Sequence, residues 1–136
     1  MNAERMLAGF LQYVRMDTTA NEAVESYPSS PGQRELGVLL VRQLQEFGVA
    51  DAHQDEHGLV WATIPATVAG DVPVIAFNAH LDTSPEASGA NVRPQVIRGY
   101  GGGDLILPGD PQQAIRVAEN PALQQLHGAT LVTTDG

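Results

Sequence analysis

Cysteine is absent from the 136 residues. That removes disulfides, cysteine-based zinc sites and thiol nucleophiles, and it fits a reducing, cytoplasmic setting. Basic side chains are scarce, with 7 Lys and Arg against 16 Asp and Glu and a formal net charge of −9. Such a surface repels phosphate backbones, and the arginines are scattered, so no nucleic-acid partner is expected. No apolar run approaches the roughly 18 residues that cross a bilayer, so no membrane partner is expected either. The opening Met1-Asn2-Ala3-Glu4-Arg5-Met6 is mixed in character and leads into a periodic segment, not into a signal peptide. No Asn-x-Ser/Thr acceptor and no Gly-x-Ser-x-Gly nucleophile turn occurs. Gly99-Tyr100-Gly101-Gly102-Gly103-Asp104 has glycines in a phosphate-loop-like array but an Asp where the last Gly should stand, and no Lys-Ser/Thr follows. It reads as a flexible turn-rich loop.

What remains is a soluble globular composition, 43% hydrophobic with a mean hydropathy of −0.12, and length for one core. Leu7, Phe10, Leu11 and Val14 fall at i, i+3, i+4 and i+7 and predict a first amphipathic helix. A second helix is predicted with Ser30 as N-cap, Pro31 at N1, Gln33 at capping-box spacing, a face of Leu36, Leu40, Leu44 and Phe47, and Gly48 at its end. Val49 to Gln54 and Leu59 to Ile64 read as a hairpin around Glu56-His57-Gly58. Val72 to Ala79, nearly unbroken in its apolar character, predicts a buried strand. Ser84 to Asp110 is rich in Gly and Pro, with short strands at Gln95–Arg98 and Leu105–Leu107. Asn120 caps a short helix from Pro121 that Gly128 ends, and Thr130 to Thr134 is a final strand. The pattern is α/β, a mixed sheet flanked by helices, with no internal boundary.

The chemistry concentrates at His80-Leu81-Asp82, just past the predicted buried strand. A neutral imidazole is a good zinc ligand, and a nearby carboxylate commonly fixes its tautomer and orientation. In open α/β sheets, sites gather beyond the carboxyl ends of strands. The other histidines carry less. His53 and His57 flank Gln54-Asp55-Glu56 and read as solvated side chains around a turn, although with Asp55 they could mimic a surface metal site. His127, in the last turn of the short helix, would complement the helix dipole.

Phe77-Asn78-Ala79-His80-Leu81-Asp82-Thr83-Ser84-Pro85 resembles the first active-site motif of the M20 family of dizinc metallopeptidases, in its tripeptide-aminopeptidase branch. Ser29-Ser30-Pro31-Gly32-Gln33, Asp55 to Pro65, Asn91-Val92, Gly102-Gly103-Asp104 and Leu131 to Gly136 are similar to further segments of that branch, in the same order. The resemblance implies that His80 binds one of two zinc ions and that Asp82 is the active-site carboxylate holding the local geometry. It implies release of the N-terminal residue from tripeptides, a cytoplasmic enzyme and a homodimer. It also implies that 1–136 is the N-terminal portion of the catalytic domain. A bridging Asp, a Glu base with a neighbouring Glu ligand, another Asp, a distant His and a lid and dimerisation domain would then all lie beyond Gly136. One His cannot hold zinc tightly, so the chain alone is expected to be inactive. Two other functions fit the same residues: a non-catalytic binding or interaction module built on the same fold, or a different M20 hydrolase acting on acyl-amino acids. The Ser84–Asp110 loop favours the tripeptide branch, by resemblance.

Overall fold

A computed structural model describes residues 2–136. The sequence shows no internal boundary, but the chain divides into two compact units, one made of residues 2–15 with Asn91–Gly136, the other of Met16–Ala90. Both combine helix with small antiparallel ladders, in keeping with the α/β class.

In the first unit, helix α1 (Ala3–Tyr13) begins where the Asn2 side chain accepts the Arg5 amide at 3.1 Å, a side-chain cap that satisfies an otherwise orphaned donor. Leu7, Leu11 and Val14 are half-buried, while Phe10 remains exposed. The strands of this unit are shorter than predicted. They run Gln95–Ile97, Leu105–Ile106, Ala114–Ile115 and Leu131–Thr133. Gln95–Ile97 pairs antiparallel with Leu131–Thr133 in a register that puts Val96 opposite Val132. Leu105–Ile106 pairs with Ala114–Ile115, a strand without a clear sequence signal. The segment from Pro121 is a 3₁₀ helix, Pro121–Gln125, not an α-helix. Tyr100, Leu105 and Leu123 form the buried centre, with Ile97, Ile115, Val117 and Leu131 packed around it.

Tyr100 corrects the reading of the glycine-rich segment as a flexible loop. Only 3% of this residue is exposed. Its amide donates to Ala129 O at 2.9 Å, its carbonyl accepts from Gly128 N at 2.8 Å, and its hydroxyl donates to Gly103 O. Asp104 accepts the Val117 amide at 2.9 Å. The glycines supply positive-φ backbone at Gly99, Gly102 and Gly103, which lets the chain fold tightly around the ring.

In the second unit, α2 (Pro31–Glu46) buries Gln33, Leu36, Gly37 and Leu39. It packs on the hairpin of β1 (His53–Gln54) and β2 (Val60–Trp61). Gly37 permits the approach, because a Cβ there would lie 1.9 Å from Gln54 Nε2. The predicted capping box forms one residue early. Ser30 is the N-cap by its backbone but makes no side-chain cap bond, while Gln33 Oε1 accepts the Ser29 amide at 3.1 Å. Gln33 Nε2 also donates to Thr18 O at 3.2 Å, which explains why an amide side chain is buried here. The hairpin turn is built on Asp55, whose Oδ1 accepts His57 N and Leu59 N, each at 2.9 Å, and whose Oδ2 accepts Trp61 Nε1 at 3.0 Å.

The predicted buried strand Val72 to Ala79 is the main correction. Among the described residues no strand pairs with it, and every residue in it is exposed, Val74 at 95% and Phe77 at 94%. A strand apolar on both faces is stable only when neighbours pair its backbone and cover its side chains. The described residues supply neither.

Candidate functional site

His80 and Asp82 follow that unpaired segment, and they are brought together as the spacing suggested. His80 Nδ1 lies 2.7 Å from the Asp82 carbonyl oxygen and 3.1 Å from Asp82 Oδ1. A carbonyl oxygen can only accept, so in the neutral ring Nδ1 carries the proton and Nε2 keeps its lone pair. The His80 side chain is 82% exposed and that of Asp82 49%. An imidazole fixed at Nδ1 with an accessible Nε2 is the form in which histidine binds a metal.

The backbone just past Asp82 is tied down. Thr83 N donates to Thr18 O at 3.2 Å, and Ala20 N donates to Thr83 O at 2.9 Å, a parallel bridge between Thr19 and Thr83. Thr18 is 3% exposed, so this bridge is shielded from water on the Thr18 side. Asp17 and Thr19 were not singled out as functional from sequence. Their signal was there, in the Asp-x-Thr spacing of an Asx-type turn, in which a carboxylate accepts an amide two residues on.

The remaining histidines separate from the site. His53 Nδ1 is 2.8 Å from Asp51 O, and His57 Nε2 is 3.6 Å from Glu56 Oε1 at the surface. His57 also has its ring centroid 6.3 Å from that of Tyr27. His127 lies beyond the 3₁₀ helix instead of in its last turn. It packs on Tyr100, ring centroids 6.1 Å apart, and against Gly102, where a Cβ would come within 2.6 Å of its Nε2. The ring is exposed on one side and sits beside Tyr100 on the other, past the end of the helix. A cleft bordered by Tyr27, Ser30 and Arg34 and another bordered by Phe10, Val92 and Val132 include neither His80 nor Asp82.

Among the described residues no group of three or more His, Cys, Asp or Glu is placed to hold a metal ion. A structural zinc takes four protein ligands and a catalytic one three. His80 and Asp82 have the chemistry of one ligand and its supporting carboxylate, but by themselves the described residues do not fit a complete zinc site. No helix among them is long and apolar enough to cross a membrane.

No protein-family model matches the chain. Curated proteins do. It is 44% identical over 133 residues to peptidase T of Vibrio parahaemolyticus, which covers 98% of this chain and 32% of that protein. It is 45% identical over 133 residues to peptidase T of Salmonella dublin, with 98% and 32% covered. Against peptidase T of Halothermothrix orenii it is 43% identical over 127 residues, with 93% and 31% covered. The chain is therefore similar to the peptidase T proteins along nearly its whole length, and it spans about a third of theirs.

Proposed function

We propose that this chain is the N-terminal portion of the catalytic domain of a zinc-dependent aminopeptidase that releases the N-terminal residue from tripeptides. The observation that carries the reading is the identity of 44% over 98% of the chain to proteins named peptidase T. The paired His80 and Asp82 support it. In this reading His80 presents Nε2 to one zinc ion and Asp82 is the active-site carboxylate that orients the ring. In the same reading, the other ligands, the general base and the lid and dimerisation domain would lie in the part of a peptidase T that this chain does not span; the chain covers 32% of the Vibrio parahaemolyticus protein. The metal would supply Lewis acidity and an activated water. The chain's own contribution is to hold one imidazole in the liganding tautomer. A cytoplasmic enzyme, acting as a homodimer on short peptides, goes with the same reading.

The test extends the reading frame past Gly136 and assays the product with zinc on tripeptides, dipeptides and acyl-amino acids. Release of the N-terminal residue from tripeptides, abolished by a chelator, is expected. Hydrolysis of acyl-amino acids with no action on tripeptides would move the assignment to another M20 hydrolase. A stop codon directly after Gly136, with a folded chain that takes up no zinc, would make it a non-catalytic module.

A further inference from the structure

The hydrogen bonds around Thr83 do more than tie a loop. Each of the peptide groups involved is a rigid plane whose N–H and C=O point in opposite directions, so fixing one end aims the other. The Asp82–Thr83 peptide contributes both the Thr83 N–H, held by Thr18 O at 3.2 Å, and the Asp82 C=O, which receives His80 Nδ1 at 2.7 Å. The Thr18–Thr19 peptide contributes both that Thr18 C=O and the Thr19 N–H, held by Asp17 Oδ1 at 3.1 Å. Two peptide planes in series thus join the Asp17 carboxylate to the His80 ring, with every donor and acceptor in the same sense. Bonds ordered this way polarise one another, and here a carboxylate stands at the accepting end.

Asp17 is held where this requires. Its Oδ1 also accepts the Thr19 hydroxyl at 2.6 Å, and Thr19 Oγ1 in turn accepts the Gly89 amide at 3.1 Å. Gly89 must be glycine for this approach, since a Cβ there would lie 2.7 Å from Thr19 Oγ1 and 3.0 Å from Asp17 Oδ1. The Thr19 hydroxyl, and then the Thr19 amide, hold the Asp17 carboxyl below its usual range, so the acceptor stays charged.

We propose that Asp17 is a positioning residue for the His80 imidazole, acting through the Thr18–Thr19 and Asp82–Thr83 peptide planes. Its importance for catalysis rests on the reading of His80 as a zinc ligand, but the positioning itself is a property of this chain and is measurable without metal or substrate.

The experiment uses the 136-residue chain labelled with ¹⁵N in histidine and backbone, at alkaline pH where the imidazoles are neutral, with His80→Gln to assign the ring. Two-bond ¹H–¹⁵N spectra report the tautomer. The parent should show His80 protonated at Nδ1. Asp17→Ala should lose that single tautomer and give a mixture. Asp17→Asn, whose side-chain oxygen still accepts, should restore it. Thr19→Val, which removes the hydroxyl but keeps the amide, should raise Gly89 amide exchange roughly fivefold, as expected for one lost hydrogen bond. Unchanged exchange at the His53 amide in β1 shows that the unit remains folded. If Asp17→Ala disturbs β1, Asp17→Leu, which keeps the volume of the side chain but has no acceptor, takes its place and should give the same mixture. A tautomer mixture in the parent overturns the proposal and also removes the geometric support for a functional His80. A parent held at Nδ1–H that no variant shifts overturns the proposal while leaving the peptidase reading intact.

Discussion

Two stretches of similar apolar character meet opposite ends in this chain. Around Tyr100, the side chains of Leu105, Leu123, Ile97, Ile115, Val117 and Leu131 close on one another. Two short ladders there pair the backbone groups that flank them. Val72, Val74, Ile75 and Phe77 are no less hydrophobic, yet all are exposed and, among the described residues, unpaired by any strand. Hydrophobicity makes burial favourable by about 25 cal/mol per Å², but it supplies no partner. The Tyr100 stretch meets its partners within the next few dozen residues. The Val72–Phe77 stretch meets none among the described residues.

The largest expected effect tests this contrast directly. Tyr100→Ala should destabilise the chain by about 3 kcal/mol, the cost of truncating a buried aromatic, while Phe77→Ala should fall within about 0.5 kcal/mol of the parent. Urea unfolding of both variants decides, and a Phe77→Ala loss as large as that of Tyr100→Ala would show that 72–79 is covered after all. Next is Gln33→Ala. It removes the bonds to Ser29 and Thr18 and should cost about 1–2 kcal/mol by the same measurement, because those groups lose buried partners. An effect of this size would place the stability of the second unit in α2 and its anchors, not in the apolar segment.

A smaller effect should appear with pH. Asp55, Asp51, Asp17 and Asp135 are each held below the usual carboxylate range, chiefly by hydrogen bonds: to Asp55 from Trp61, to Asp51 from Thr63, to Asp17 from Thr19, and to Asp135 from Arg93. A carboxyl lowered in the folded state adds stability above its unfolded value, about 3.9 for Asp, and that stability is lost as pH falls through the folded value. Unfolding midpoints should therefore be flat at neutral pH and drop in acid, with a shallower drop in Asp55→Asn. An unchanged acid limb in that variant would remove Asp55 from the account. The smallest effect is expected at the bidentate pair of Arg98 with Glu4, 2.9 and 3.0 Å apart and exposed. Arg98→Ala should change the midpoint little, and less in high salt than in low.

Local signals were legible in the sequence where they are self-contained. The periodicity of α1 and α2, Pro31 at N1, the turn at Glu56-His57-Gly58 and the His80–Asp82 pairing all depend on residues within a few positions of each other. The failures involve partners at a distance. Val72 to Ala79 looked buried because its composition says that it prefers to be. Whether it is buried depends on neighbours that composition does not specify. The glycines from Gly99 to Gly103 suggested mobility, but they wrap a tyrosine whose partners at Ala129 and Leu123 lie more than twenty positions away. The Asp-x-Thr spacing of Asp17 and Thr19 signalled a turn but no link to His80, because that link runs through two peptide planes and not through direct contact. A complete metal site was legible in neither sequence nor structure, since among the described residues no group of three or more His, Cys, Asp or Glu is placed to hold a metal ion.

The most direct measurement is aminopeptidase activity on a tripeptide by the protein encoded when the reading frame is continued past Gly136, compared with its His80→Ala variant. The parent should release the N-terminal residue, and the variant should lose at least about a hundredfold, more than the removal of an outer-shell partner of a metal ligand costs. A His80→Ala protein as active as its parent would contradict the central claim that this imidazole serves the chemistry.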